Sequence, residues 1–297
     1  MHEVFTNTVS VDPALNPLDV KIREARDSAA HPESNAVAVF FDVTGSMGHI
    51  PVLFAKEKLG GLMRMLIGQG AITDPQILFG AVGDAYTDRS PLQIGQFESG
   101  LEMDDWLTKI HLEGGGGGGD HESYELPIWW AATHVAMDCL EKREKKGYLF
   151  VIGDEGYYPS LRSEQVKKIV GEDVQDMPIE EVIALAQEKF EVFKICVRSG
   201  SYHDGGLAHW RRLMGERAIF LEDPNNVCEF IASQIAACEG VEHSKIAAGL
   251  KDAGLNDGAV GAVSKALVKG NAGKAIRKGT VTGDLEPVAA GGKTERL

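Results

Sequence analysis

Asp42, Thr44 and Ser46 stand at two-residue intervals in Val39-Phe40-Phe41-Asp42-Val43-Thr44-Gly45-Ser46-Met47. One carboxylate and two hydroxyls leaving a single turn are oxygen donors of the kind that hard divalent cations accept. Mg²⁺ takes such ligands at about 2.0–2.1 Å, and a second loop must complete the set. For this fragment alone, the alternative is an ordinary strand-to-helix turn in which Asp42 and Thr44 cap the next helix. Two further loops bear acids. Asp120 and Glu122 follow a run of glycines, Gly114 to Gly119, and Asp154 sits in Gly153-Asp154-Glu155-Gly156. Such a glycine run forms neither a helix nor a stable strand. It reads as a loop that delivers acids to the start of the next helix, with a floppy surface linker as the alternative.

The elements around these loops alternate. Apolar runs at Ala36–Phe41, Gln76–Val82, Leu92–Phe97, Gly147–Ile152, Val192–Val197 and Ala218–Leu221 predict six strands. Between them, helical spacing of apolar residues predicts helices over His49–Ile67, Leu101–Ile110, Tyr124–Glu141, Ile179–Phe190, Leu207–Met214 and Asn225–Cys238. Continuous apolar strands that end in an acid are what central parallel strands show, since helices cover both faces. The turn Arg89-Ser90-Pro91 folds Leu92–Phe97 back as a hairpin at one edge. The alternation therefore predicts an α/β fold, a doubly wound, mostly parallel six-stranded sheet with one antiparallel edge strand. In such sheets ligands bind outside the carboxyl ends of the strands, where all three acidic loops would meet.

Residues 1–34 are polar and broken by Pro13, Pro17 and Pro32, and read as an arm with a short helical candidate at Leu18–Arg26. Residues 35–243 form the domain. Residues 244–297, rich in Gly, Ala and Lys, read as a tail with weak helices at Lys245–Ala253 and Ala259–Val268 and disorder from Gly270.

The net charge of −14 is unevenly spread. Residues 244–297 carry nine Lys and Arg against five Asp and Glu, so +4 lies there and −18 over residues 1–243. An acidic body repels nucleic acid and anionic membrane, which argues against both as partners. No apolar run reaches about 18 residues and no leader pattern opens the chain, so the expected location is the cytoplasm. The four cysteines form no CxxC pair and read as reduced core thiols. No GxxxxGK[ST] loop, no GxGxxG after a strand and no GxSxG elbow occurs in the sequence, so nucleotide-binding and α/β-hydrolase readings lack their motifs.

Taken together, the three loops resemble the metal-ion-dependent adhesion site of the von Willebrand factor A domain family. That family carries DxSxS or DxTxS after the first strand, a Thr before the third helix and an Asp after the fourth strand. Asp42, Thr44 and Ser46 match the first group and Asp154 the last, over a resemblance spanning about Asn35 to Cys238. No Thr follows the glycines. Gly-Gly-Gly-Asp-His-Glu-Ser instead resembles the GGGDxPE segment of bacterial and phage A domains and those attached to alpha-type kinases, and the corresponding loop of integrin β subunits. By that match Glu122 takes the middle ligand role, with Asp120 as competitor because the spacing is one residue shorter and the proline is missing. Tyr86 and Asp88 resemble that subgroup's YRD segment, with an ordinary hairpin turn as the alternative.

The resemblance implies Mg²⁺, or Mn²⁺ or Ca²⁺, and a protein partner that presents an Asp or Glu to the ion. It implies a non-enzymatic interaction module. The alternatives are a metal-dependent hydrolase, for which Glu155, His121 or His203 would have to serve as base, and a structural component of a larger particle.

Overall fold

The computed structural model of the chain describes residues 11–55, 61–100, 102–113, 121–197 and 204–268. The apolar run before Asp42 forms β1 (Asn35–Asp42), buried along its whole length. Val37, Val39 and Phe41 enter one core, and Ala36, Ala38 and Phe40 enter another on the opposite face. This is the two-residue period of a strand covered on both sides.

The other main strands are β2 (Pro75–Val82), β3 (Leu92–Glu98), β4 (Gly147–Gly153), β5 (Phe190–Val197) and β6 (Ala218–Leu221). They lie in the order β6-β5-β4-β1-β2-β3. All neighbours run parallel except β2 and β3, which pair antiparallel at the edge. The doubly wound sheet with a hairpin edge is thus observed, with each strand where its apolar run lies.

Helices cover both faces. One core takes Leu62 and Leu66 from Leu62–Gln69, Met103 and Leu107 from Glu102–Lys109, and Phe230, Ile231 and Ile235 from Val227–Cys238. The other takes Trp129 and Trp130 from Glu125–His134, Val182 and Ala186 from Ile179–Lys189, and Trp210 from Asp204–Met214. The helix expected over His49–Ile67 is helical at Ile50–Leu53 and again from Leu62, and residues 56–60 lie outside the described residues. A helix at Ser163–Ile169 was not foreseen. Its single amphipathic turn, Val166 and Ile169, is too short to register as a period.

Two expectations near the amino terminus are corrected. Leu18–Arg26 is not helical, because Arg23–Ala25 runs extended and pairs in parallel with Val135–Met137. Arg23 fixes this course by donating to the carbonyls of Gly95 at 2.6 Å and Ala14 at 2.8 Å. The same pairing interrupts the helix expected over Tyr124–Glu141. It stops at His134, Val135–Met137 is extended, and Asp138–Arg143 resumes as a separate helix. The described part of the arm is therefore built into the domain, with Leu15, Val20 and Ala25 buried.

The boundary at Ser244 also moves. His243–Asp252 and Asp257–Ala266 are helices whose Ile246, Leu250, Val260 and Val263 enter the same core as Phe230 and Ile231. Small residues hid the apolar face of these helices, which is narrow but complete at i, i+3 and i+4 spacing. The expectation of disorder from Gly270 lies outside the described residues.

Candidate metal centre

Because β1, β2, β4 and β5 are parallel, their carboxyl ends open on one edge, and β1 lies directly between β2 and β4. β1 ends at Asp42, β2 is followed by Gly83-Asp84, and β4 is followed by Asp154. A second device brings Glu122 to that edge. His121–Glu122 pairs in parallel with Gly156–Tyr157, Glu122 opposite Tyr157, so the loop before the helix Glu125–His134 is tied to the loop after Asp154. Ser123 closes the third side: its amide donates to the Gly83 carbonyl at 3.3 Å, and its hydroxyl accepts from the Ala85 amide at 2.9 Å.

Asp42 is fully buried. Its Oδ1 accepts from the Thr44 amide at 2.8 Å and the Thr44 hydroxyl at 2.6 Å, and its Oδ2 accepts from the Tyr124 hydroxyl at 2.6 Å. Thr44 Oγ1 lies 3.1 Å from Ser46 Oγ, which donates to Asp154 Oδ1 at 3.1 Å. The helix-capping alternative does not hold, since neither Asp42 nor Thr44 bonds the amides of the following helical turn. Instead the two acids are bridged through two hydroxyls.

Glu122 is buried beside this chain, and its Oε2 has no hydrogen-bond partner. Burial, then the charges of Asp42, Asp88, Asp84 and Asp154, push its carboxyl up to about 10. Burial, then Asp154, push Asp42 up to about 6, against the hydrogen bonds of Thr44 and Tyr124. Burial ahead of the Asp42 charge likewise pushes the Tyr124 phenol up, so it keeps the proton it donates. Several acids with little compensating positive charge are what an anion-lined cation site looks like before the cation is added.

Of the six residues chosen from sequence, the structure joins Asp42, Thr44, Ser46 and Asp154 by hydrogen bonds and sets Glu122 beside them as an interacting charge. Asp120 lies outside the described residues, as does His203. Among the described residues no three Asp, Glu, His or Cys side chains already stand as a metal-holding group. The donor set still fits a hard cation, since it offers carboxylate and hydroxyl oxygens and one buried oxygen that nothing else satisfies.

Asp88 accepts from the Asp84 amide at 2.7 Å and so shapes the hairpin turn, while its charge still reaches Glu122. Tyr86 is 54% exposed and leans on Tyr158 with ring centroids 4.7 Å apart. From there rings continue inward around the site: His121 stacks on Tyr158, His209 on Tyr157, and Tyr157 meets Trp210.

Three residues escaped the sequence reading. Tyr124 holds Asp42 from below. Gly153 makes room for it, since a Cβ there would come within 2.0 Å of the phenolic oxygen. Lys194, fully buried on β5, lies with Nζ 3.7 Å from the Tyr124 ring centroid. Only Lys194 left a signal, as the one charged residue inside the apolar stretch Val192–Val197.

No family model and no curated protein matches the chain. Solved structures similar to it include a von Willebrand factor type A protein from Catenulispora acidiphila, at 13% identity and a TM-score of 0.38 over 69% of this chain and 42% of that one. Another is the conserved hypothetical protein BatB from Bacteroides thetaiotaomicron, at 11% identity and a TM-score of 0.40 over 73% of this chain and 99% of that one. A third is the pilus adhesin SpaC from Lactobacillus rhamnosus GG in its open conformation, at 7% identity and a TM-score of 0.44, where this chain spans 31% of the adhesin. At such identities and scores the likeness says nothing about activity.

Proposed function

We propose that the chain is an A-domain-like interaction module that uses a divalent cation, Mg²⁺ by preference, to bind an Asp or Glu side chain of a partner protein. The observation that carries this reading is the buried, unpartnered Oε2 of Glu122 beside the chain Asp42-Thr44-Ser46-Asp154. Leaving a buried carboxyl oxygen unpaired costs about 1–3 kcal/mol, so such an atom calls for a reason. Asp42, Thr44, Ser46, Glu122 and Asp154 would hold the ion, with Asp120 as the remaining candidate ligand. The bound ion would supply a Lewis-acidic position open to a carboxylate from outside.

The residues of the chain do the rest. Tyr124 orients Asp42, the ladder between Glu122 and Tyr157 holds two loops in register, and the exposed ring of Tyr86 with the half-buried ring of Tyr158 borders the opening. Anionic groups, a partner's carboxylate included, would otherwise be repelled by a body charge of −18 over residues 1–243. Recognition through the ion turns that repulsion into selectivity for a carboxylate set in a basic surrounding.

The test is a thermal melt and a capture experiment, each run in Mg²⁺ and in EDTA with wild type and Asp42→Ala. Mg²⁺ should raise the melting temperature of wild type only, because a ligand that binds the native state stabilises it by mass action. A partner recovered with wild type in Mg²⁺, and lost with either EDTA or Asp42→Ala, supports the reading. Superimposable wild-type melts in Mg²⁺ and EDTA would overturn it.

A further inference from the structure

Beneath the acids lies a lysine that the metal reading does not use. Lys194 projects from β5 into the core that contains Tyr124 and Trp210 and is 1% exposed. Its Nζ has no hydrogen-bond acceptor. It sits instead over two ring faces, 3.7 Å from the centroid of Tyr124 and 5.4 Å from that of Trp210. The hydroxyl of the same Tyr124 ring donates to Asp42 at 2.6 Å. One aromatic ring therefore separates the amine from the carboxylate that anchors the candidate centre.

Lys194 is the one Lys or Arg among the buried polar residues described, whereas Asp42, Asp84, Glu122, Glu125, Asp154 and Glu155 are all buried acids. Desolvation drives a buried amine toward neutrality. Burial holds the Lys194 amine below its ordinary value, and the charges of Cys196 and, from the loops above, of Asp42, Asp154 and Glu155 pull the other way and favour the ammonium. The ring faces favour it too, and most strongly where water is excluded. An ammonium is held by the rings and by the field of the acids.

The geometry points to Lys194 as a built-in counter-charge of the metal centre, which partly neutralises the acids when no ion is bound and opposes the divalent ion when it enters. Resting on the metal reading above, it adds a function to a residue that touches none of the candidate ligands. Such a centre would bind its ion more weakly than its acids alone dictate. It would load when ion and partner carboxylate arrive together, since the partner's negative charge offsets the repulsion from Lys194.

The experiment is calorimetric titration of the full chain with Mg²⁺, comparing wild type with Lys194→Met, which keeps the length of the stem and removes the charge. The variant should bind Mg²⁺ at least ten-fold more tightly, a lower bound, since the repulsion between a unit charge and a dication across one ring exceeds that factor at an effective dielectric of about 20. A purely structural role for Lys194 would weaken binding instead. Equal or weaker binding by the variant overturns the counter-charge while leaving the metal centre standing. Binding by neither protein removes the metal centre itself, and binding by the variant alone is the strongest form of the expected result.

Should Lys194→Met fail to fold, nitrogen-15 spectra of lysine-labelled wild type supply the answer. The Lys194 resonance, displaced by the two ring faces, should be that of an ammonium in the metal-free protein and should move when Mg²⁺ is added. A neutral amine in the metal-free protein overturns the proposal.

Discussion

Tyr124 meets two demands at once: its hydroxyl serves Asp42 and its ring covers Lys194. Tyr124→Phe keeps the ring and removes the hydroxyl, so it isolates the first demand. A hydrogen bond to a charged group is worth roughly 1.5–3 kcal/mol. Tyr124→Phe should lower stability by about that much in urea unfolding, with Asp42 still folded in place by Thr44. Gly153→Ala should do worse in the same assay, because its Cβ would come 2.0 Å from the phenolic oxygen and overpacking a tight core costs about 1–3 kcal/mol before the lost hydrogen bond is added. Glu122→Gln should act in the opposite direction. It replaces a buried carboxyl crowded by Asp42, Asp88, Asp84 and Asp154 with a neutral amide. Its melting temperature in EDTA should equal or exceed that of wild type, while the rise on adding Mg²⁺ should be lost. A fall in EDTA would show that Glu122 holds the loop rather than the ion.

At the scale of elements, the short ladder between Arg23–Ala25 and Val135–Met137 is locked by an ionic cluster. Asp138 accepts from Arg26 at 2.8 Å and pairs with Lys142 at 2.7 Å, and Asp27 pairs with Arg143 at 2.8 Å. The Lys142 ammonium, ahead of the Asp27 amide and Arg26, holds the Asp138 carboxyl down at about 2. Arg143 holds Asp27 well below the usual carboxylate range. Both folded values lie below the unfolded value near 3.9, so this stabilisation is complete above about pH 4 and is lost as pH falls toward about 2. Melting temperatures measured between about pH 5 and about pH 2 should therefore fall less steeply for Asp138→Asn than for wild type. Parallel slopes would mean that the cluster contributes nothing to acid stability.

The last two helices make a second prediction at this scale. A chain ending at His243 loses the burial of Ile246, Leu250, Val260 and Val263, each worth about 1.5–3 kcal/mol when fully removed from water. It also loses the clasp in which Gln234 donates to the Val268 carbonyl at 2.7 Å and accepts from the Val268 amide at 2.9 Å. That truncation should unfold at clearly lower urea than the full chain. An unchanged midpoint would restore the boundary at Ser244.

For the whole molecule, charge governs association. A body of −18 over residues 1–243 should attract a partner that sets its carboxylate among basic groups. Partner capture in Mg²⁺ should thus weaken as salt rises toward about 1 M, where the Debye length is about 3 Å, yet stay above the EDTA level because the ion's own contact is short. Capture that grows with salt would point to an apolar interface instead. No helix among the described residues is long and apolar enough to cross a membrane. The four cysteines are thiols rather than disulfides, three of them buried.

Hydrophobic period and strand-end acids were enough to read the six strands, the hairpin edge and the Asp42-Thr44-Ser46 turn from the sequence, because a strand buried on both faces must be apolar throughout and a turn of donors must interrupt it. The chain alone also pointed to Asp154 and to the loop of Asp120 and Glu122 as neighbours of that turn, since strand ends and helix starts of such a sheet share one edge, while the preference for Glu122 came from the family resemblance. Tertiary structure decided what periodicity cannot carry. Whether Val135–Met137 continues a helix depends on a strand more than a hundred residues earlier, and whether residues 243–266 belong to the domain depends on a core face elsewhere. The bridge from Asp42 through two hydroxyls to Asp154, the ring that separates Asp42 from Lys194, and the unpartnered oxygen of Glu122 are relations between side chains distant in sequence. They arise from packing, and no spacing within one segment encodes them.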